Sequence, residues 1–174
     1  MNWPEASGMK DSQETIVQIG TTNNKKPGTG KAARSRARAF VVQALYQFIV
    51  GKNDLASVDA FTRGLSGFHK VDDAHYTRLL AGCVENYLAL NEKIEPYLDR
   101  RLSDVSPIEL AALWVGVFEL MHCLDIPWRV VMNEAVELAK EFGGTDGHRF
   151  VNGILNQAAH AIRSVEVQAE RANA

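Results

Sequence analysis

Covalent staples, chain breakers and membrane spans are all scarce in this chain, which has two cysteines and five prolines in 174 residues. Cys83 and Cys123 both fall inside apolar helical patterns, where a free thiol acts as a small hydrophobe, and two such residues make no disulfide scaffold. The longest apolar stretch, residues 108–124, is interrupted by Glu109, Gly116, Glu119 and His122, so no segment reads as a membrane span. No apolar signal-like core stands near the N-terminus, and a cytoplasmic protein is expected. Sustained alternation of strand type is missing too, which points to an all-α fold.

Signatures of chemistry are equally scarce. His69, His75, His122, His148 and His160 form no H-E-x-x-H or Cys/His spacing, so neither a metal nor a cofactor is expected. There is no G-x-S-x-G, no dinucleotide fingerprint and no nucleophile beside a base. The PGTGKAA run is not a phosphate loop: Lys25 stands where the first Gly belongs, and Ala32 stands where Ser or Thr should follow the lysine. The chain does not read as an enzyme.

What is present is a globular composition, 46% hydrophobic and 23% charged, with the length of one domain. The net charge of −2 is unevenly spread. Residues 1–38 hold seven Lys/Arg against three acids, an excess of four positive charges that leaves the remainder at −6. A basic arm on an acidic body is the footprint of a polyanion or an acidic partner.

The arm runs directly into a helix. Lys31, Arg34, Arg36 and Arg38 are followed by Phe40, Val41, Ala44, Leu45 and Phe48 at helical spacing, and Gly51 closes the segment. Residues 1–30 read as a disordered extension. Further helices are expected over residues 55–65 (with Val58, Phe61 and Leu65 inward), from Asp72 through Leu88, and over residues 91–98, 107–122, 129–142 and 146–164. Ser106-Pro107-Ile108-Glu109 combines a capping box with a proline start. The following helix is apolar on most sides, so it should be the central one. The tail, residues 165–174, is expected to fray. About seven helices with short loops make a compact bundle.

The remaining candidates suit binding. Tyr46 lies on the first helix outside the middle of its apolar stripe. The run from Asp146 to Gly153 places a cation, an aromatic and an amide near a helix N-terminus, where phosphate binds and bases stack. By spacing alone core packing is the stronger reading of Phe150. Glu134, Glu137 and Glu141 read as a solvated face.

The stretches RSRARAFVVQALYQF and IPWRVVMNEAVELAKEFGGTDGHRFVNGILNQAAHAIR resemble the NusB family of bacterial transcription antitermination factors. The similarity runs from about Lys31 to Arg163, and NEAVELAK and FVNG are its most specific parts. It implies two small helical subdomains within residues 31–164 and a non-catalytic role. Such a factor pairs with ribosomal protein NusE, binds the single-stranded boxA element of nascent ribosomal RNA leaders, and joins the elongating RNA polymerase with other Nus factors. The resemblance assigns the RNA-facing surface to Lys31, Arg34, Arg36, Arg38, Tyr46, Asp146 and Phe150, and the NusE-facing surface to Glu109. Ser35 stands where a further Arg is often seen, which removes one phosphate contact. Monomer and homodimer are both open.

Two rival readings remain. One is a helical protein–protein module whose arm docks an acidic partner, with RNA incidental. The other is an RNA methyltransferase, since a similar helical domain heads some of them, but no βαβ segment is present to hold a cofactor. If the arm neutralises about four phosphates, log K should fall against log salt with a slope near −3.

Overall fold

Side-chain caps mark three of the helix starts. Asp54 accepts from Ser57 N at 2.9 Å, Asp72 accepts from His75 N at 3.0 Å, and Ser106 Oγ accepts from Glu109 N at 3.3 Å. In this computed structural model, which describes residues 30–172, the helices are α1 (Lys31–Gly51), α2 (Leu55–Arg63), α3 (Asp73–Ile94), α4 (Pro107–His122), α5 (Trp128–Phe142), α6 (Gly147–Ile162) and α7 (Ser164–Ala172). Short 3-10 turns lie at Phe68–Lys70, Glu95–Tyr97 and Leu102–Asp104. The described residues contain no strand. The expected N-terminal extension lies outside them, apart from Gly30.

The hub is α4. Every residue from Leu110 to Leu120 is buried, because α1, α3, α5 and α6 all pack on this helix. Two helical sets, α1–α3 and α4–α7, thus share one hydrophobic cluster through a common helix. Close approach is built in at glycine. A Cβ on Gly82 of α3 would sit 2.1 Å from Phe118 Cζ, and one on Gly116 would sit 2.7 Å from a Leu155 methyl. Trp114 is a core residue whose indole N–H donates to the buried Asn91 Oδ1 at 2.7 Å.

Four expectations need correction. Residues 91–98 are no separate helix: α3 runs on to Ile94, and Pro96 sits in a 3-10 turn that does not need its missing N–H. Phe61 is exposed, because α2 buries the Val58–Thr62 line; the Thr62 hydroxyl bonds back to Val58 O at 2.8 Å and is thereby satisfied. Leu88 likewise faces solvent.

The tail does not fray over residues 165–172, where it forms most of α7. Val167 is buried, Glu166 accepts from the Trp128 backbone N–H at 3.0 Å, and Arg129 pairs with Glu170. Glu166 therefore caps α5, which lacks a side-chain cap of its own. Just before α7, the buried Arg163 donates to the carbonyls of Glu119, Leu120, Cys123 and Ile126. These carbonyls lie in the last turn of α4 and the loop that follows it, where the helical ladder runs out.

Gly82→Ala should cost about 1–3 kcal/mol by overpacking against the Phe118 ring. Gly116→Ala should cost less, since a Leu155 methyl can swing away; urea unfolding of the two variants compares them. Burial pushes the thiols of Cys83 and Cys123 above their ordinary range, which depletes the reactive thiolate. A thiol reagent at pH 8 should therefore titrate neither cysteine before denaturant is added and both afterwards.

Candidate nucleic-acid interface

Cations gather at the wrong end of α1. Its first turns carry Lys31, Arg34, Arg36 and Arg38 with no acid, and Gly30 offers no side-chain cap. The positive pole of a helix disfavours such charge. The compensation is tertiary, and it divides the four residues.

Arg38 is buried, at 2% exposure. Its Nε donates to both Glu119 oxygens at 3.0 Å, Nη2 lies 2.9 Å from Glu119 Oε1, and Nη1 lies 3.3 Å from Glu134 Oε2. His75 Nε2 stands 2.9 Å from Glu119 Oε1, within ion-pair range but out of line for a hydrogen bond. Ser35 Oγ donates to Glu134 Oε1 at 3.0 Å. This guanidinium faces inward, so the expectation that Arg38 meets phosphate is corrected: two carboxylates consume its charge. Arg34 is half-exposed and leans toward Asp72 at 3.4 Å and Asp125 at 3.7 Å. A cleft of about 700 Å³ opens here, and Asp72, Asp73, Asp125 and Glu134 line it together with Lys31, Arg34 and Arg38. Lys31 and Arg36 are exposed and show no ion pair among the described residues.

The second group lies further along α1. Tyr46 is about 18 Å from Arg34, from twelve residues at 1.5 Å each. It is 41% exposed and lines a shallow hollow with Gln43, Gln47, Ile108 and Phe142. Phe142 ends α5 beside Gly143, and Ile108 stands in the first turn of α4. One residue on, the carboxylate of Glu109 lies against Gly147 at the start of α6, where a Cβ would meet Oε1 at 2.8 Å.

From that helix end Asp146 projects into solvent with Arg149 3.4 Å away, and Phe150 packs partly buried against the core. The guanidinium of Arg100, from the loop before α4, lies over the Phe150 ring at 4.6 Å. The N-terminal ends of α4 and α6 thus bring Tyr46, Glu109, Asp146 and Phe150 to one region, while Lys31, Arg34 and Arg36 lie toward the other end of α1. Gln43, Gln47, Arg100, Ile108 and Phe142 escaped sequence reasoning. Ile108 and Phe142 could have been suspected as apolar residues in the first and last turns of their helices, but Arg100 sits in a loop with no periodicity.

A family model described as the NusB family matches residues 35–160. The chain belongs to the NusB family. It is 57% identical over 159 residues to the transcription antitermination protein NusB of Acidovorax sp. (strain JS42), covering 90% of this chain and 89% of that one. It is 52% identical over 170 residues to the same protein of Variovorax paradoxus (strain S110), covering 97% and 94%. Among solved structures it is similar to T. maritima NusB, with a TM-score of 0.64 at 31% identity over 76% of this chain and 92% of that one. It also shares its fold with the NusB of an antitermination factor NusB–NusE complex with dsRNA, with a TM-score of 0.65 at 20% identity over 75% and 98%. The chain is accordingly a transcription antitermination protein of a non-catalytic family. Among the described residues no helix is long and apolar enough to cross a membrane, and no group of three His, Cys, Asp or Glu could hold a metal. The matched region begins at Ser35, so Lys31 and Arg34 precede it while Tyr46, Glu109, Asp146 and Phe150 fall inside it.

Arg38→Ala should destabilise the fold by about 3–5 kcal/mol, since it strands Glu119 in the core. Arg36→Ala, at a surface without a partner, should stay within about 0.5 kcal/mol of the parent. Urea titration of both variants checks the division of the arm into a structural and a free part.

Proposed function

We propose that this NusB-family chain is an RNA-binding adaptor that, with NusE, binds the boxA element of nascent ribosomal RNA leaders and joins the elongating RNA polymerase. The observation that carries the reading is the convergence at one end of the bundle. Tyr46, Asp146 and Phe150 come from α1 and α6, yet all meet around the first turn of α4. The exposed Lys31 and Arg36 extend along the helix that carries Tyr46. Cations that track a backbone, with aromatics and a carboxylate at one end, suit an unpaired strand: phosphate contacts position it, and base contacts specify it.

The two groups are about 18 Å apart along α1, so a strand must span several nucleotides to engage both. A single mononucleotide would not. Glu109 stands on the same rim, and in this reading NusE docks there, beside the RNA. RNA held across both proteins then gives positive coupling. The solved NusB–NusE complex with dsRNA supports this class of partners, although the RNA there is double-stranded and the present reading is of a single strand.

Because Arg38 is internal and Arg34 is partly compensated, two to three phosphates are neutralised instead of four. The slope of log K against log salt should then fall between about −1.4 and −2.1. Fluorescence anisotropy of a labelled boxA RNA and a scrambled RNA, with and without NusE, tests the whole reading. The expected result is preference for boxA, strengthened by NusE. Lys31→Ala/Arg36→Ala should weaken both RNAs alike, while Tyr46→Ala should reduce the preference itself. Equal weak binding to both RNAs would instead favour a protein–protein module with incidental RNA contact.

A further inference from the structure

Phe150 has little room for a base. Its ring packs against the core on one side, and the Arg100 guanidinium lies over it at 4.6 Å. A base seeking this aromatic must either displace Arg100 or stack on what covers it. Asp99 decides which is easier. Arg100 Nε donates to Asp99 Oδ1 at 2.7 Å and Nη2 donates to Oδ2 at 3.3 Å, a two-point grip that fixes the guanidinium plane. The same grip offsets the charge, so Arg100 is a weak phosphate ligand. What it leaves open is a planar face, on a side chain that is 45% exposed.

We infer that Arg100 is a specificity-determining residue of the RNA site: gripped by Asp99 and seated on Phe150, its guanidinium presents the surface on which one unpaired RNA base stacks. The inference rests on the adaptor reading and deepens it. The order from the core outward is ring, guanidinium, base. Guanidinium planes serve as stacking platforms for unpaired bases as aromatic rings do. Asp146 stands exposed at the same helix end as Phe150, where its carboxylate can accept from the edge of a stacked base. A lysine at position 100 would keep the charge but lose the plane, so the two contributions can be separated.

The test compares the wild type with Arg100→Lys and Arg100→Ala, using boxA RNAs that carry 2-aminopurine at each position in turn. The full chain with NusE is used, and thermal unfolding serves as the control for folding. The expected result is one position whose fluorescence is quenched by the wild type and recovers in both variants. Affinity should fall roughly five- to a hundredfold in both, the scale of one lost base stack. The salt slope and unfolding temperature should stay unchanged. Wild-type affinity in Arg100→Lys would overturn the inference, because charge alone would then suffice. Tighter binding by Arg100→Ala would overturn it as well, showing that the base displaces Arg100 from Phe150. In either case a wild type that still prefers boxA over a scrambled RNA leaves the adaptor reading standing. A wild type that binds neither RNA would sink both.

Discussion

One buried guanidinium holds the bundle's arrangement together. Arg38 of α1 reaches Glu119 of α4 and Glu134 of α5, and Glu119 in turn faces His75 of α3. Four helices are referenced to one charge. Such a network adds little net stability over an apolar core, since desolvating the ions costs nearly what their attraction returns. It does add geometric demand. A rotation of α1 that pulled Arg38 away would strip Glu119, at 1% exposure, of its guanidinium partner, so the helix is locked about its own axis.

That lock decides which side of α1 meets solvent. With Arg38 inward, Lys31 and Arg36 face outward, and Tyr46 stands beside Phe142 and Ile108. The cations at the helix start violate the preference of the helix dipole, and the acids of α3, α4 and α5 relieve part of that conflict from outside the helix. Where a local rule is broken in this way, function is the usual reason. A second buried guanidinium, Arg163, works at the opposite end of the hub by satisfying four backbone carbonyls at and beyond the end of α4. The polar groups inside this protein thus serve placement more than cohesion.

Much of the fold was legible because its signals are local. The start of α4 could be read from Ser106 and Pro107, and the burial of that helix from its unbroken apolar run. The errors have physical causes. An aromatic outranks a threonine in any periodic count, which predicts Phe61 inward, yet Thr62 satisfies its own hydroxyl and takes the buried position. The tail after Val165 looked polar throughout, but the pairing of Glu166 with a backbone N–H some forty residues earlier is invisible to periodicity.

The site divides along the same line. Family resemblance marked Tyr46, Asp146 and Phe150 as candidates for meeting RNA, while composition and order alone determined that the chain is helical and that basic residues lead into its first helix. Those are properties of nearest neighbours and of helical phase. Only the tertiary structure decided that Arg38 is a core residue while Arg36 is free, that Glu109 lies against Gly147, and that Arg100 covers Phe150. Each of these depends on which helix lies alongside, and a charge or an aromatic ring carries no local mark of its distant partner.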